Sequence, residues 1–153
     1  MENYDSTQDT LLHRALVAKI LRHAADELLK RGQVHDESKL YPPEKPVFDA
    51  FTPKLRELEY GTDAYRETLR QMRPAMDHHY AENTHHPEHW YKGIDGMTML
   101  DLLEMLADWW AAGQRHESSM TLEESIKHNQ GRFGYSDAMV ELMIRTGAEL
   151  GWY

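Results

Sequence analysis

The stretch Thr98–Arg115, TMLDLLEMLADWWAAGQR, decides the fold class. Thr98 followed three residues later by Asp101 has the form of a capping box, so a helix is predicted from Met99 to about His116. Its apolar residues cover nearly the whole circumference, the signature of a helix buried in a helical protein. Yet Asp101, Glu104, Asp108 and Arg115 fall within about 60° of one another at 3.6 residues per turn. A narrow acidic line on a buried helix needs charge partners, because an unpaired buried carboxylate costs several kcal/mol or changes its protonation. An ion pair with Arg115 or another arginine is one answer, and a metal held together with histidines is another. Asp101 already has a task at the helix start, so Asp108, in mid-helix, is the better ligand candidate.

Immediately upstream lies MDHHYAENTHHPEHW, Met76–Trp90, with five of the ten histidines: His78, His79, His85, His86 and His89. Imidazoles packed this densely beside carboxylates suit a borderline divalent metal; a solvated histidine-rich loop is the plain alternative. A helix is predicted from about Asp63 to Glu82, with Thr62 as N-cap and Pro74 kinking or splitting it. Adjacent histidines on a helix point about 100° apart, so one of each pair is the expected ligand. His79 lies on the Met72/Met76 stripe and is preferred to His78, with one of His85 or His86 beside it.

Towards the N-terminus, apolar residues recur at helical spacing from about Thr7 to Arg31, with Ser6 and Asp9 resembling a capping box and Gly32 as the stop. His13 lies in the stripe with Leu16, Val17 and Ile20. It is expected to face inward, either as a core histidine or as a ligand. Between this helix and the next come His35, Asp36 and Lys39, then prolines 42, 43 and 46. Two short helices are predicted there, one from Pro43 or Glu44 carrying Phe48 and Phe51 and one capped by Thr52. Downstream, Thr121 with Glu124 forms a second capping box for a helix to about Asn129. A last helix is predicted from Ser136 or Asp137 to about Glu149. No alternating strand or repeat is found, so the fold is expected to be all-α, one domain over residues 1–153 with six or seven helices.

The 153 residues contain no cysteine, which leaves His, Asp, Glu and water as metal ligands. The formal net charge of −9 argues against long nucleic acid as a partner. Neither a membrane-spanning run nor a signal peptide is evident, so a cytoplasmic protein without a membrane partner is expected. Trp109 and Trp110 read as core or as the interface of a homodimer.

The order His13, His35–Asp36, histidine stretch, Asp108 resembles the HD-domain superfamily of metal-dependent phosphohydrolases, and HDESK resembles its His-Asp-x-x-Lys form. HDESKLYPPEK, HHYAENTHHPEHW and DLLEMLADWWAAGQR together also look like a group of small bacterial and phage proteins. The HD resemblance implies a helical bundle in which His13, His35, Asp36 and Asp108 hold one divalent ion. Asp36 would bridge to a second ion completed by His79 with His85 or His86. Mn, Fe, Co, Ni, Zn and Mg are not distinguished. It further implies that water activated by the metal attacks a small phosphorylated substrate, a nucleotide being the expected class, with Asp36, Lys39 and Arg115 catalytic and Arg132 a further candidate for neutralising phosphate. Glu37 and Glu104 are possible proton shuttles. The motif departs from the HD-GYP form, with NTHHPEHW in place of its glycine-rich turn. An HD-fold di-iron oxygenase and a non-catalytic, metal-stabilised binding module are the alternatives.

Overall fold

The computed structural model describes residues 4–59, 61–114 and 120–153, which form an all-α protein. Six α-helices are described: α1 (Thr7–Val34), α2 (Glu44–Glu57), α3 (Asp63–Glu82), α4 (Met99–Gly113), α5 (Leu122–Phe133) and α6 (Asp137–Glu149), with short 3-10 turns at Glu37–Leu40, Pro87–His89 and Gly93–Gly96. The chain divides into two compact units, Met1–His35 and Asp36–Tyr153.

The first unit is essentially α1. Its 28 residues include none that is buried, so the apolar stripe of Leu12, Leu16, Val17 and Ile20 is an exposed face and not the core face expected. Periodicity reports that one side of a helix is apolar; it does not report what covers that side. The helix also runs through Gly32, where a side chain would meet open space, to Val34. Ser6 occupies the N-cap without a side-chain bond, and Asp5 Oδ1 instead accepts from the Thr7 amide at 2.9 Å.

In the second unit, the three later caps form as the residue pattern predicts. Thr98 with Asp101 and Thr121 with Glu124 make reciprocal capping boxes. Ser136 Oγ accepts from the Met139 amide at the start of α6. These side chains satisfy helix-end donors that would otherwise need water. The expectation of a helix starting at Thr52–Pro53 is corrected, since both lie within α2, and α3 runs continuously through Pro74. A proline removes one backbone bond, and here tertiary packing outweighs that local loss. The core joins Met105 and Leu106 of α4 to Leu122 and Ile126 of α5 and Val140 and Met143 of α6, with Ile94 and Tyr135. The Tyr135 hydroxyl donates to the Ile126 carbonyl, and burial pushes its pKa up to about 12. Gly147 is needed for close approach, since a Cβ there would stand 2.7 Å from Leu122 Cδ2.

Met105 is 1% exposed at the centre of this core. Met105→Ala is expected to cost about 2–5 kcal/mol. Urea unfolding followed by circular dichroism measures it, and a loss below about 1 kcal/mol would contradict this placement of α4.

Candidate metal centre

The histidines of the Met76–Trp90 stretch separate into those that converge and those that hold the frame. His79, His85, His86 and Asp36 each present a ligand atom within 4.8 Å of the others. His79 Nε2 lies 3.3 Å from Asp36 Oδ1 and 2.8 Å from His86 Nε2. His85 Nε2 lies 3.5 Å from Asp36 Oδ1. His79 and His85 are buried, while Asp36 and His86 are partly so. His79, and not His78, joins the converging group, because the Met72/Met76 stripe of α3 is its inner face. Both rings of the pair His85–His86 belong to the converging group. That pair sits past the end of α3, with His86 extended at φ −94°, ψ 129°, so the 100° rule for helices does not separate the two rings.

The convergence depends on carboxylates behind the rings. Glu44, fully buried at the start of α2, accepts from His78 Nδ1 at 2.8 Å and His79 Nδ1 at 2.9 Å, one imidazole for each oxygen. Asn83 Nδ2 also lies 3.0 Å from His79 Nδ1, but its two hydrogens go to Ser38 Oγ and the His79 carbonyl, both at 2.8 Å. A carboxylate can only accept, so the His79 proton belongs on Nδ1 and the lone pair on Nε2 faces Asp36. Glu104 stands in the same relation to His85, with Oε1 3.2 Å from Nδ1. A carboxylate that orients a histidine through its remote nitrogen is the usual support of a metal ligand.

The acidic line of α4 therefore meets the histidine stretch in order. Asp101 accepts from Thr84 Oγ1 at 2.7 Å while also closing its capping box. Glu104 meets His85. Asp108 presents a carboxylate oxygen within 4.8 Å of a ring nitrogen of His85. Burial holds His86 well below the usual imidazole pKa, at about 3, reinforced by His85 and His79 and opposed by the charges of Asp108 and Asp36. His86 is thus a neutral imidazole, the form that can donate a lone pair.

Asp36 has φ 57°, the single positive-φ non-glycine among the described residues. Aspartate tolerates this left-handed geometry better than most residues. It starts the Glu37–Leu40 turn, which returns Lys39 Nζ to Asp36 Oδ2 at 2.6 Å. His35 caps the end of α1 immediately before it in the chain. His13 is exposed on α1, and Glu37 is exposed as well. Arg115 lies outside the described residues. Arg132 pairs with Glu88 at 2.5 Å. His78 serves Glu44, and His89 Nδ1 bonds the Tyr80 carbonyl at 3.0 Å. Sequence reasoning missed Glu44, whose only local signal is an acid in a first helical turn. It also missed Ser38 and Asn83.

Fold and site together define an all-α protein with a buried cluster of three histidines and an aspartate that could bind a metal. The chain belongs to a family of unknown function, DUF5662, whose model matches residues 2–149. Among curated proteins and solved structures, nothing matches the chain.

Glu44→Ala removes the acceptor for two imidazole N–H groups and is expected to destabilise the fold by about 1–3 kcal/mol. Chemical denaturation at neutral pH checks this; an unchanged midpoint would mean that Glu44 does not hold these rings.

Proposed function

We propose that Asp36, His79, His85 and His86 bind a divalent metal ion and that the protein hydrolyses a phosphoester bond in a small molecule, most naturally a nucleotide. One observation carries the reading: ring nitrogens of three histidines converge with a carboxylate oxygen, and two of the rings are held from behind by Glu44 and Glu104. Without an ion, such a site gathers lone pairs at close range. The donor set of imidazole and carboxylate oxygen suits Mn, Fe, Co, Ni or Zn better than Mg, which favours oxygen alone.

A bound divalent ion lowers the pKa of a coordinated water towards ~7 and polarises a phosphoryl oxygen. The chain's own residues would do the rest. Asp36 supplies negative charge to the ion. Lys39, over a third exposed and stacked 5.5 Å above the Phe48 ring, is placed to neutralise a phosphate oxygen. Glu44 and Glu104 keep the ligating rings in one tautomer. Tyr80 packs its ring 5.0 Å from that of His86 and forms one wall of a cleft of about 590 Å³ with Arg73, Arg132 and Phe133. That cleft offers aromatic and cationic surface for the remainder of a substrate. The likeness of HDESK and of the residue order to the HD-domain superfamily supports the same reading and adds Asp108 as a further ligand.

Metal analysis of protein purified without added metal, followed by a phosphatase screen over nucleotides with Mn, Co, Ni and Zn, tests the proposal. Bound metal and phosphate release are expected, and Asp36→Ala is expected to lose both. Tightly held metal with no turnover would reduce the site to a stabilising one, and two irons with a visible absorption band would favour oxidation.

Two finer outcomes follow from the geometry. Glu44→Gln is expected to weaken metal binding about 10- to 100-fold, as outer carboxylates of ligating histidines do. Affinity should also fall on acidification, because protons compete for the imidazole lone pairs. Isothermal titration across pH measures both; an affinity indifferent to Glu44→Gln would remove the histidines from the first coordination sphere.

A further inference from the structure

The cleft walled by Tyr80 is electrically balanced. Each of its two guanidinium groups has a carboxylate partner: Arg73 Nε lies 2.6 Å from Asp77 Oδ1, and Arg132 Nη2 lies 2.5 Å from Glu88 Oε1. A phosphate entering it would have to displace a carboxylate, whereas an uncharged ring leaves both pairs in place. The two pairs are not alike. Arg73 and Asp77 stand one turn apart on α3, and the Asp77 side chain is 55% exposed. Arg132 and Glu88 are 44 residues apart and join α5 to the Pro87–His89 turn, and the Glu88 side chain is only 26% exposed. The Arg132 guanidinium also lies over the Phe133 ring, 4.8 Å from its centre. Arg132 is thus held by a ring and by an acid, and it holds that acid in turn. Tyr80 faces the same pair. Burial raises the pKa of its hydroxyl, the Glu88 charge adds to this, and Arg132 opposes it through a hydrogen bond and its charge. The Tyr80 ring also lies 5.0 Å from the ring of His86, so one side chain separates the cleft from the metal cluster.

An aromatic wall with a fixed carboxylate and guanidinium at one end is the form of a slot for a planar heterocycle, apolar on its face and polar along its edge. We propose that this cleft is the base subsite of the centre and that it selects guanine, which makes guanine nucleotides the substrate class. That the phosphate goes to the cluster rests on the hydrolase reading above; the base preference does not. The edge chemistry makes the choice. Arg132 engages Oε1 of Glu88, and a carboxylate has about four acceptor sites. Guanine carries two neighbouring donors, N1–H and the N2 amino group, which can meet the two carboxylate oxygens together. Its O6, next along the same edge, accepts from Arg132. Adenine and cytosine bring a single amino group to the carboxylate, and uracil a single ring N–H. Paired hydrogen bonds to a charged group are the strong and selective ones. The base lies along Tyr80, where stacking on an aromatic ring adds affinity without choosing among bases.

Nucleosides test this on the full-length protein as purified, because they contain no phosphoester and their binding is read whether or not the protein hydrolyses anything. Ligand-observed NMR titration at up to millimolar concentration is expected to show guanosine binding about ten-fold or more tightly than adenosine, cytidine or uridine. Inosine, which lacks only the N2 amino group, should fall with the weaker set. Glu88→Gln, at a side chain outside the core, should keep its circular dichroism spectrum and bring guanosine down to the level of inosine. Guanosine preference without phosphate release from guanosine monophosphate would overturn the hydrolase reading and leave the base subsite standing. Equal binding of the nucleosides, a preference for cytidine or adenosine, no binding of guanosine, or a ratio of guanosine to inosine unchanged in Glu88→Gln would each overturn the base subsite, even if phosphate release were found.

Discussion

A single buried carboxylate organises the site. Glu44 has no exposure to solvent, so its charge has to be met within the protein. His78 and His79 each donate one Nδ1–H to one of its oxygens. That pairing ties the start of α2 to the last turn of α3 and fixes the tautomer of His79. Once the proton is on Nδ1, Nε2 has to face the other way, towards Asp36. An apolar residue at position 44 would leave the His79 ring free to present either nitrogen.

The second carboxylate support comes from a different part of the chain and obeys the same rule. Glu104 lies one turn after Asp101 and one turn before Asp108 on α4, so a single acidic line brings Asp101 to Thr84 and both Glu104 and Asp108 to His85. Burial then works in a consistent direction: it keeps His86 neutral and so keeps its lone pair available.

Much of this was legible beforehand. Thr62, Thr98, Thr121 and Ser136 were readable as helix starts because capping is a local bond between a side chain and an amide two or three residues on. The inward face of α3 was readable from Met72 and Met76, and it selected His79. Pro53 misled because the cost of a proline is local while its compensation is not. The stripe on α1 was readable as a helical period, and that helix forms.

The amino-acid sequence by itself determined the helices, their caps, and the presence of imidazoles and carboxylates without thiols, since each of these follows from neighbours within about one turn. Only the tertiary structure decided that Glu44 stands behind His79, that Glu104 stands behind His85, and that His85 and His86 both turn towards Asp36. These contacts join residues from about twenty to fifty positions apart. Their geometry depends on where α2, α3 and α4 meet, and no local spacing encodes it.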